Sequence, residues 1–229
     1  MSRSPSPTVE AAPRQRRKEA RPQELLDAAL ELFGEKGYAA TRTDDVAERA
    51  GVSKGTLYLY YPSKEELLKA VIRQRLSVEI EAVAAFVDQY EGSTVALLTE
   101  VLTAWWQNVF DSPTSAIFKI VVTEVRNFPE LGEFYTREFA EPGKQLVGRM
   151  LERGIARGEF RKVDVPSTVM SLILPMIMLC LHKHSLGACA PLAVDPKAFI
   201  QHHAELVLQG LQAPPSALAQ RRRSPKGAA

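Results

Sequence analysis

Apolar positions recur along nearly the whole chain at helical spacing. Leu26, Ala29, Leu30 and Phe33 fall at i, i+3, i+4 and i+7, with Glu24, Asp27, Glu31 and Glu35 on the opposite side. Pro22 near the start and Gly37 past the end are the stops such a helix prefers. Ser63 and Glu66 form a capping box that opens a long helix from Lys64 to near Tyr90. Gly92-Ser93 breaks it, and a helix bearing Leu97, Leu98, Val101, Leu102, Trp105 and Trp106 follows. Asp195-Pro196 supplies an N-cap and a first-turn proline for a last helix. No stretch alternates with period two long enough to build a sheet, and no internal repeat appears. The pattern predicts an all-α fold.

Between residues 41 and 64 the chain reads TRTDDVAERAGVSKGTLYLYYPSK. Thr43 is placed to cap a short helix whose first turn holds Asp44 and Asp45, favourable near its positive end. Val46 and Ala50 face inward, Gly51 permits a tight turn, and Val52 plugs the angle between two helices. Ser53 caps a second short helix, Lys54 to Tyr60, with Leu57 and Tyr61 toward the core. Its outer side carries Lys54, Gly55, Thr56, Tyr58 and Tyr60, which are donors, small groups or phenols with no carboxylate among them. Groups of that kind bond phosphate and read base edges. A glycine in the first turn lets the helix approach a duplex closely. The same spacing also fits a plain helical corner with no nucleic-acid role.

The stretch from Leu25 to about Leu68 resembles the DNA-binding domain of the tetracycline-repressor (TetR) family. The resemblance rests on AALELFGEKGYAAT, on VAERAGVSKGTLYLYYPSKEELL, and on their separation. It implies an N-terminal three-helix helix-turn-helix domain followed by a helical ligand-binding and dimerisation domain. It implies that Arg42 and Thr43 meet phosphate, and that Ser53, Lys54, Gly55 and Thr56 belong to the recognition helix in the major groove. Tyr58 and Tyr60 match backbone-contacting aromatics, and Lys64 matches a phosphate contact. Asp44 departs from members that carry a basic base-reading residue there. The expected partners are double-stranded operator DNA, a second copy of the chain in a homodimer, and an unknown small-molecule effector, with repression as the default. The helices near 166–186 and 196–211 would pair as a four-helix interface.

The expected layout is a disordered basic arm over 1–20, a helix-turn-helix domain over 21–68, a helical effector-binding and dimerisation domain over 69–212, and a disordered tail over 213–229. Trp105, Trp106, Phe110, Phe118, Met176 and Met178 are candidates for lining an apolar ligand pocket, against the plainer reading that they are core.

Composition adds limits. With 229 residues, 45% hydrophobic and 24% charged, the chain is an ordinary globular protein, and its formal charge of +2 leaves any nucleic-acid role to local charge placement. The apolar run from Val169 to Leu181 is about 13 residues, short of the roughly 20 that span a bilayer, and it contains Ser171 and Pro175. Absence of an apolar segment in the first twenty residues and two unpaired-looking cysteines, Cys180 and Cys189, point to a soluble cytoplasmic protein. His182 with His184, and His202 with His203, are spaced too closely to share a metal from one helix, so no metal is expected and the four read as surface or interface residues. GVSKGT lacks phosphate-loop spacing, and no nucleophile elbow or H-E-x-x-H is present. No catalysis and no cofactor are expected. The competing reading is a helical ligand-binding or interaction protein that binds no operator.

Overall fold

In the computed structural model the described residues are 13–212, with side chains described from residue 21 onward. Among them every regular element is helical, apart from one isolated bridge between Phe160 and Gln212. The first helix, α1, spans Pro13–Lys36 and is followed by α2 (Thr43–Arg49), α3 (Lys54–Tyr60) and α4 (Lys64–Ile72). A π-turn over Arg73–Ser77 joins α4 directly to α5 (Val78–Gln89), so the helix runs unbroken from Lys64 to Gln89. Then come α6 (Thr94–Asp111), a 3-10 turn (Pro113–Ser115), α7 (Ala116–Glu124) and α8 (Pro129–Tyr135). A second π-turn over Thr136–Ala140 joins α8 to α9 (Glu141–Arg157), and α10 (Val165–His184) and α11 (Pro196–Leu211) complete the fold.

Local chemistry sets most of these boundaries. Ser63, Ser93 and Asp195 each accept a backbone N–H from the first turn they open, at 3.1, 3.2 and 2.8 Å. Gly158 ends α9 in the left-handed conformation at φ 75°. The first helix begins earlier than expected: residues 13–20 lie in α1 rather than in an arm, and Pro22 sits inside it. Proline is tolerated at a helix start, which suits Pro13; at Pro22 the helix forgoes one backbone bond. The expected disordered stretches at 1–12 and 213–229 lie outside the described residues. A domain division at 68–69 would fall inside the continuous helix. One buried core runs from Leu25 to Leu211 across that level, and α1 packs on α2, α4 and α7.

At 20 residues α10 is long and apolar enough to cross a membrane by length and composition, more than its apolar run alone suggested. Its Val169, Leu172, Met176, Leu179 and Cys180 are buried, and the helix packs against α7, α9 and α11. On its other side Met170, Leu174 and Met178 are exposed, at i, i+4 and i+8, with Leu206 of α11 exposed as well.

His202 is exposed as a surface reading expects, whereas His184 and His203 are partly buried. His184 is half-buried, and its Nε2 lies 2.8 Å from the Ser115 hydroxyl. That hydroxyl donates to the Ser112 carbonyl at 2.9 Å, so Nε2 carries the hydrogen and donates to Oγ. Burial, with Lys183 and Lys119 nearby, pushes the imidazole down to about 4. His203 stacks on Phe199 with ring centroids 6.1 Å apart, and burial lowers its pKa too. A base held neutral in the fold but free to charge in the unfolded chain stabilises the fold only above its ordinary pKa of 6.5. Stability is therefore expected to fall between pH 6.5 and about 4. Denaturant midpoints at pH 7, 5.5 and 4.5 measure this, and His184→Gln should flatten the decline. An equally steep decline in the variant would assign it elsewhere.

Candidate nucleic-acid interface and ligand cavity

The corner between α2 and α3 is shaped by one backbone conformation. Gly51 has φ +66°, and a Cβ built there would meet nothing within 4 Å. Its need for glycine is thus conformational rather than a matter of space. Val52 N–H reaches back to Ala47 O at 2.9 Å, closing the turn. Ser53 Oγ accepts from Thr56 N at 3.1 Å and bonds the Thr56 hydroxyl at 2.9 Å, which fixes the start of α3. Leu57 is the residue of α3 that is fully buried.

Thr43 does not cap α2. Arg42 occupies the N-cap with extended backbone and no side-chain cap bond, and Thr43 is the first helical residue. Its hydroxyl instead lies 2.9 Å from the Tyr58 hydroxyl, tying the start of α2 to the outer side of α3. Lys54 is not a bare charge either: its ammonium stands 2.7 Å from an Asp44 carboxylate oxygen, and that contact raises its pKa. The carboxylate that α3 lacks is thus presented to it by α2. On the far side of α2, Arg49 pairs with Glu31 and Glu35, and Lys36 pairs with Asp45, orienting α2 on α1.

Lys64 points inward. Its ammonium donates to the carbonyls of Tyr38, Ala39 and Thr41 at 2.9, 3.2 and 3.1 Å, and lies 4.5 Å from the Tyr38 ring centre. Three bonds fill an ammonium's donor set. Burial lowers the Lys64 pKa and pushes Tyr38 up to about 12. Thr41, itself buried, has its hydroxyl 2.7 Å from Gly37 O and 3.1 Å from Leu32 O, two carbonyls that share its one hydrogen. The loop that leads into Arg42 is therefore closed from both ends.

Outermost on this side are Arg42, Ser53, Lys54, Gly55, Tyr58 and Leu59, with Thr43, Thr56 and Tyr60 half-buried beside them. Arg42 is without an ion pair among the described residues. Leu59, 80% exposed, was not singled out from the sequence. Its position four residues after Gly55 on a helix is the signal that places it on the outer side.

A cavity of about 240 Å³ lies between α5, α6, α9 and α10. Trp105, Trp106 and Phe118 line it. The Trp105 and Trp106 rings meet edge to face at 4.6 Å, and Trp105 stacks on Phe139 at 6.0 Å. Phe110, Met176 and Met178 do not reach this cavity. Phe110 covers the Lys183 ammonium at 4.7 Å, Met176 borders a separate small crevice with Ile200 and His203, and Met178 is exposed. The wall from α10 is Met170, Ile173, Leu174 and Ile177, an i, i+3, i+4, i+7 set. Tyr135 and Phe139 were also missed. Among the described residues no group of three or more His, Cys, Asp or Glu is arranged to hold a metal.

Residues 25–71 match the family model described as "Bacterial regulatory proteins, tetR family", and residues 89–186 match "Tetracyclin repressor-like, C-terminal domain". The HTH-type transcriptional repressor KstR2 of Rhodococcus jostii is 32% identical over 150 residues, covering 65% of this chain and 72% of that protein. The uncharacterised HTH-type regulator YfiR of Bacillus subtilis is 29% identical over 160 residues, covering 69% and 77%. The crystal structure of the transcriptional regulator FadR from Bacillus subtilis in complex with stearoyl-CoA is similar in fold. Its TM-score is 0.66 at 19% identity, over 83% of this chain and 99% of that one.

Proposed function

Because the chain belongs to the tetR family of bacterial regulatory proteins, we propose that it is a ligand-responsive transcription regulator that binds a palindromic operator as a dimer through α3. The observation that carries this reading is the outer side of the α2–α3 corner, where cationic, hydroxyl-bearing and small residues stand together on a helix held to the core by Leu57. Arg42, Thr43, Tyr58 and Tyr60 engage phosphates; Ser53, Lys54, Gly55 and Thr56 lie along the groove. Leu59 adds an apolar contact of the kind a thymine methyl accepts. Lys54 must exchange Asp44 for DNA, so its contribution to affinity is smaller than that of an unpaired cation. Lys64 acts by shaping the loop before Arg42 rather than by meeting phosphate with a donor to spare.

Dimerisation uses α10 and α11, whose exposed Met170, Leu174, Met178 and Leu206 gain burial against a second copy. The two α3 helices then enter successive major grooves about 34–36 Å apart, or a multiple of that distance. The effector occupies the apolar cavity; in support, the Bacillus subtilis regulator of similar fold was crystallised in complex with stearoyl-CoA, a ligand that carries an apolar chain. Ligand that prefers the non-binding arrangement lowers operator affinity by that preference, and operator lowers ligand affinity equally. The protein acts as a repressor in the cytoplasm, catalyses nothing and needs no cofactor.

The test is retention of DNA from the chain's own upstream region, at two salt concentrations with nonspecific competitor, followed by random-sequence selection. Specific retention weakening steeply with salt supports the reading; no selected sequence at all would remove it. In the same assay Arg42→Ala should weaken binding to every sequence alike and reduce the salt slope by about one charge's contribution. An unchanged slope would take Arg42 off the contact surface.

A further inference from the structure

Tyr135 ends α8 immediately before the second π-turn and lines the cavity. Its side chain is half-buried and forms part of the cavity wall. Burial pushes its phenol well above the ordinary range, with the buried Cys180 thiol nearby. Its ring packs on Phe139 at 5.3 Å, yet its hydroxyl has no hydrogen bond to any described group. A buried tyrosine hydroxyl ordinarily finds a partner.

The rest of the wall narrows what that partner is. The Trp105 indole N–H is shut away from open space and directed at the Glu79 carboxylate. Lys144 is the charged residue of the lining, and its ammonium is already paired with Glu141 at 2.9 Å. Apart from the Trp106 indole N–H, all other lining side chains are hydrocarbon, sulfur or aromatic carbon. A water in the cavity would need two or more polar partners, and besides the Tyr135 hydroxyl the wall offers only the Trp106 indole N–H, a donor without acceptor capacity. An anion brought inside would lie without a counter-charge, which is costly.

We infer that Tyr135 is the polar anchor of the cavity, and that the ligand is an uncharged, largely apolar molecule whose carbonyl or hydroxyl oxygen bonds to the Tyr135 hydroxyl. This rests on the cavity being the effector site. At about 240 Å³ the space suits roughly eight to twelve non-hydrogen atoms. Such a ligand satisfies both parts of the wall, the hydrocarbon surface with its body and the phenol with its oxygen.

Both tryptophans of the chain line the cavity, so their emission reports entry without a label. Three matched probes decide the matter: butylbenzene, butyrophenone and 4-phenylbutyrate. The ketone should bind the native protein about fivefold more tightly than the hydrocarbon, the factor one hydrogen bond supplies. The carboxylate should bind least well. Tyr135→Phe should erase the ketone's advantage and leave butylbenzene affinity unchanged, a pattern a packing defect would not produce. Equal binding of ketone and hydrocarbon by the native protein, retention of the preference in Tyr135→Phe, or preference for the carboxylate would overturn the anchor while leaving the cavity as the ligand site. Failure of all three probes to alter the emission of either protein would overturn the cavity reading itself and the anchor with it.

Discussion

Leu57→Ala is expected to destabilise the chain by about 2–5 kcal/mol and to abolish operator retention, although Leu57 touches no DNA-facing atom. The residue is fully buried, and α3 is only seven residues long. A helix that short has no independent stability and is held in place by what it buries. Removing the side chain leaves a cavity under the recognition helix and releases its one deep attachment, while Ser53 still caps the first turn. Denaturant unfolding reads the stability loss, and retention at low temperature separates a displaced helix from an unfolded protein. A folded variant with native operator affinity would show that α3 is held by its caps and by the Thr43–Tyr58 bond instead.

Lys64→Ala is the second substitution with a large expected effect, of about 2–3 kcal/mol, because bonds to a charged donor exceed neutral ones and three carbonyls lose their partner together. The same carbonyls belong to the loop that delivers Arg42, so operator binding should weaken beyond the loss of a single charge. Lys64→Met, which keeps the stem over Tyr38 but not the donors, should be nearly as damaging. A variant of native stability whose only defect is a reduced salt slope would return Lys64 to the phosphate contacts.

These two residues mark how far the sequence could be read. Leu57 was legible because burial on a helix leaves a periodic trace, and the caps at Ser53, Ser63, Ser93 and Asp195 were legible because capping is local chemistry. Lys64 was not, since its acceptors lie 23–26 residues earlier and a lysine opening a helix looks like a solvated charge. Thr43 was misplaced by one position for a related reason: its hydroxyl finds Tyr58, 15 residues on, rather than its own helix. In the cavity, chemistry was a poorer guide than phase. Phe110 and Met178 have suitable side chains but the wrong rotation, whereas the spacing of Met170, Ile173, Leu174 and Ile177 already described a wall. The early start of α1 and both π-turns leave no such trace.

Those π-turns lie against each other. Arg73 of the first reaches Glu138 of the second at 3.5 Å, and its guanidinium lies 5.1 Å from the Phe134 ring centre. Each turn holds one residue more than an α-helix needs, and an extra residue rotates everything after it by about 100°. The two helices therefore behave as toothed shafts, each carrying an added tooth at the level where they mesh. A deletion in one shaft alone would swing Ile80 and Val83, or Gly143 and Val147, out of the cavity wall. Lineages that lose one of these inserted residues should be found to have lost the other.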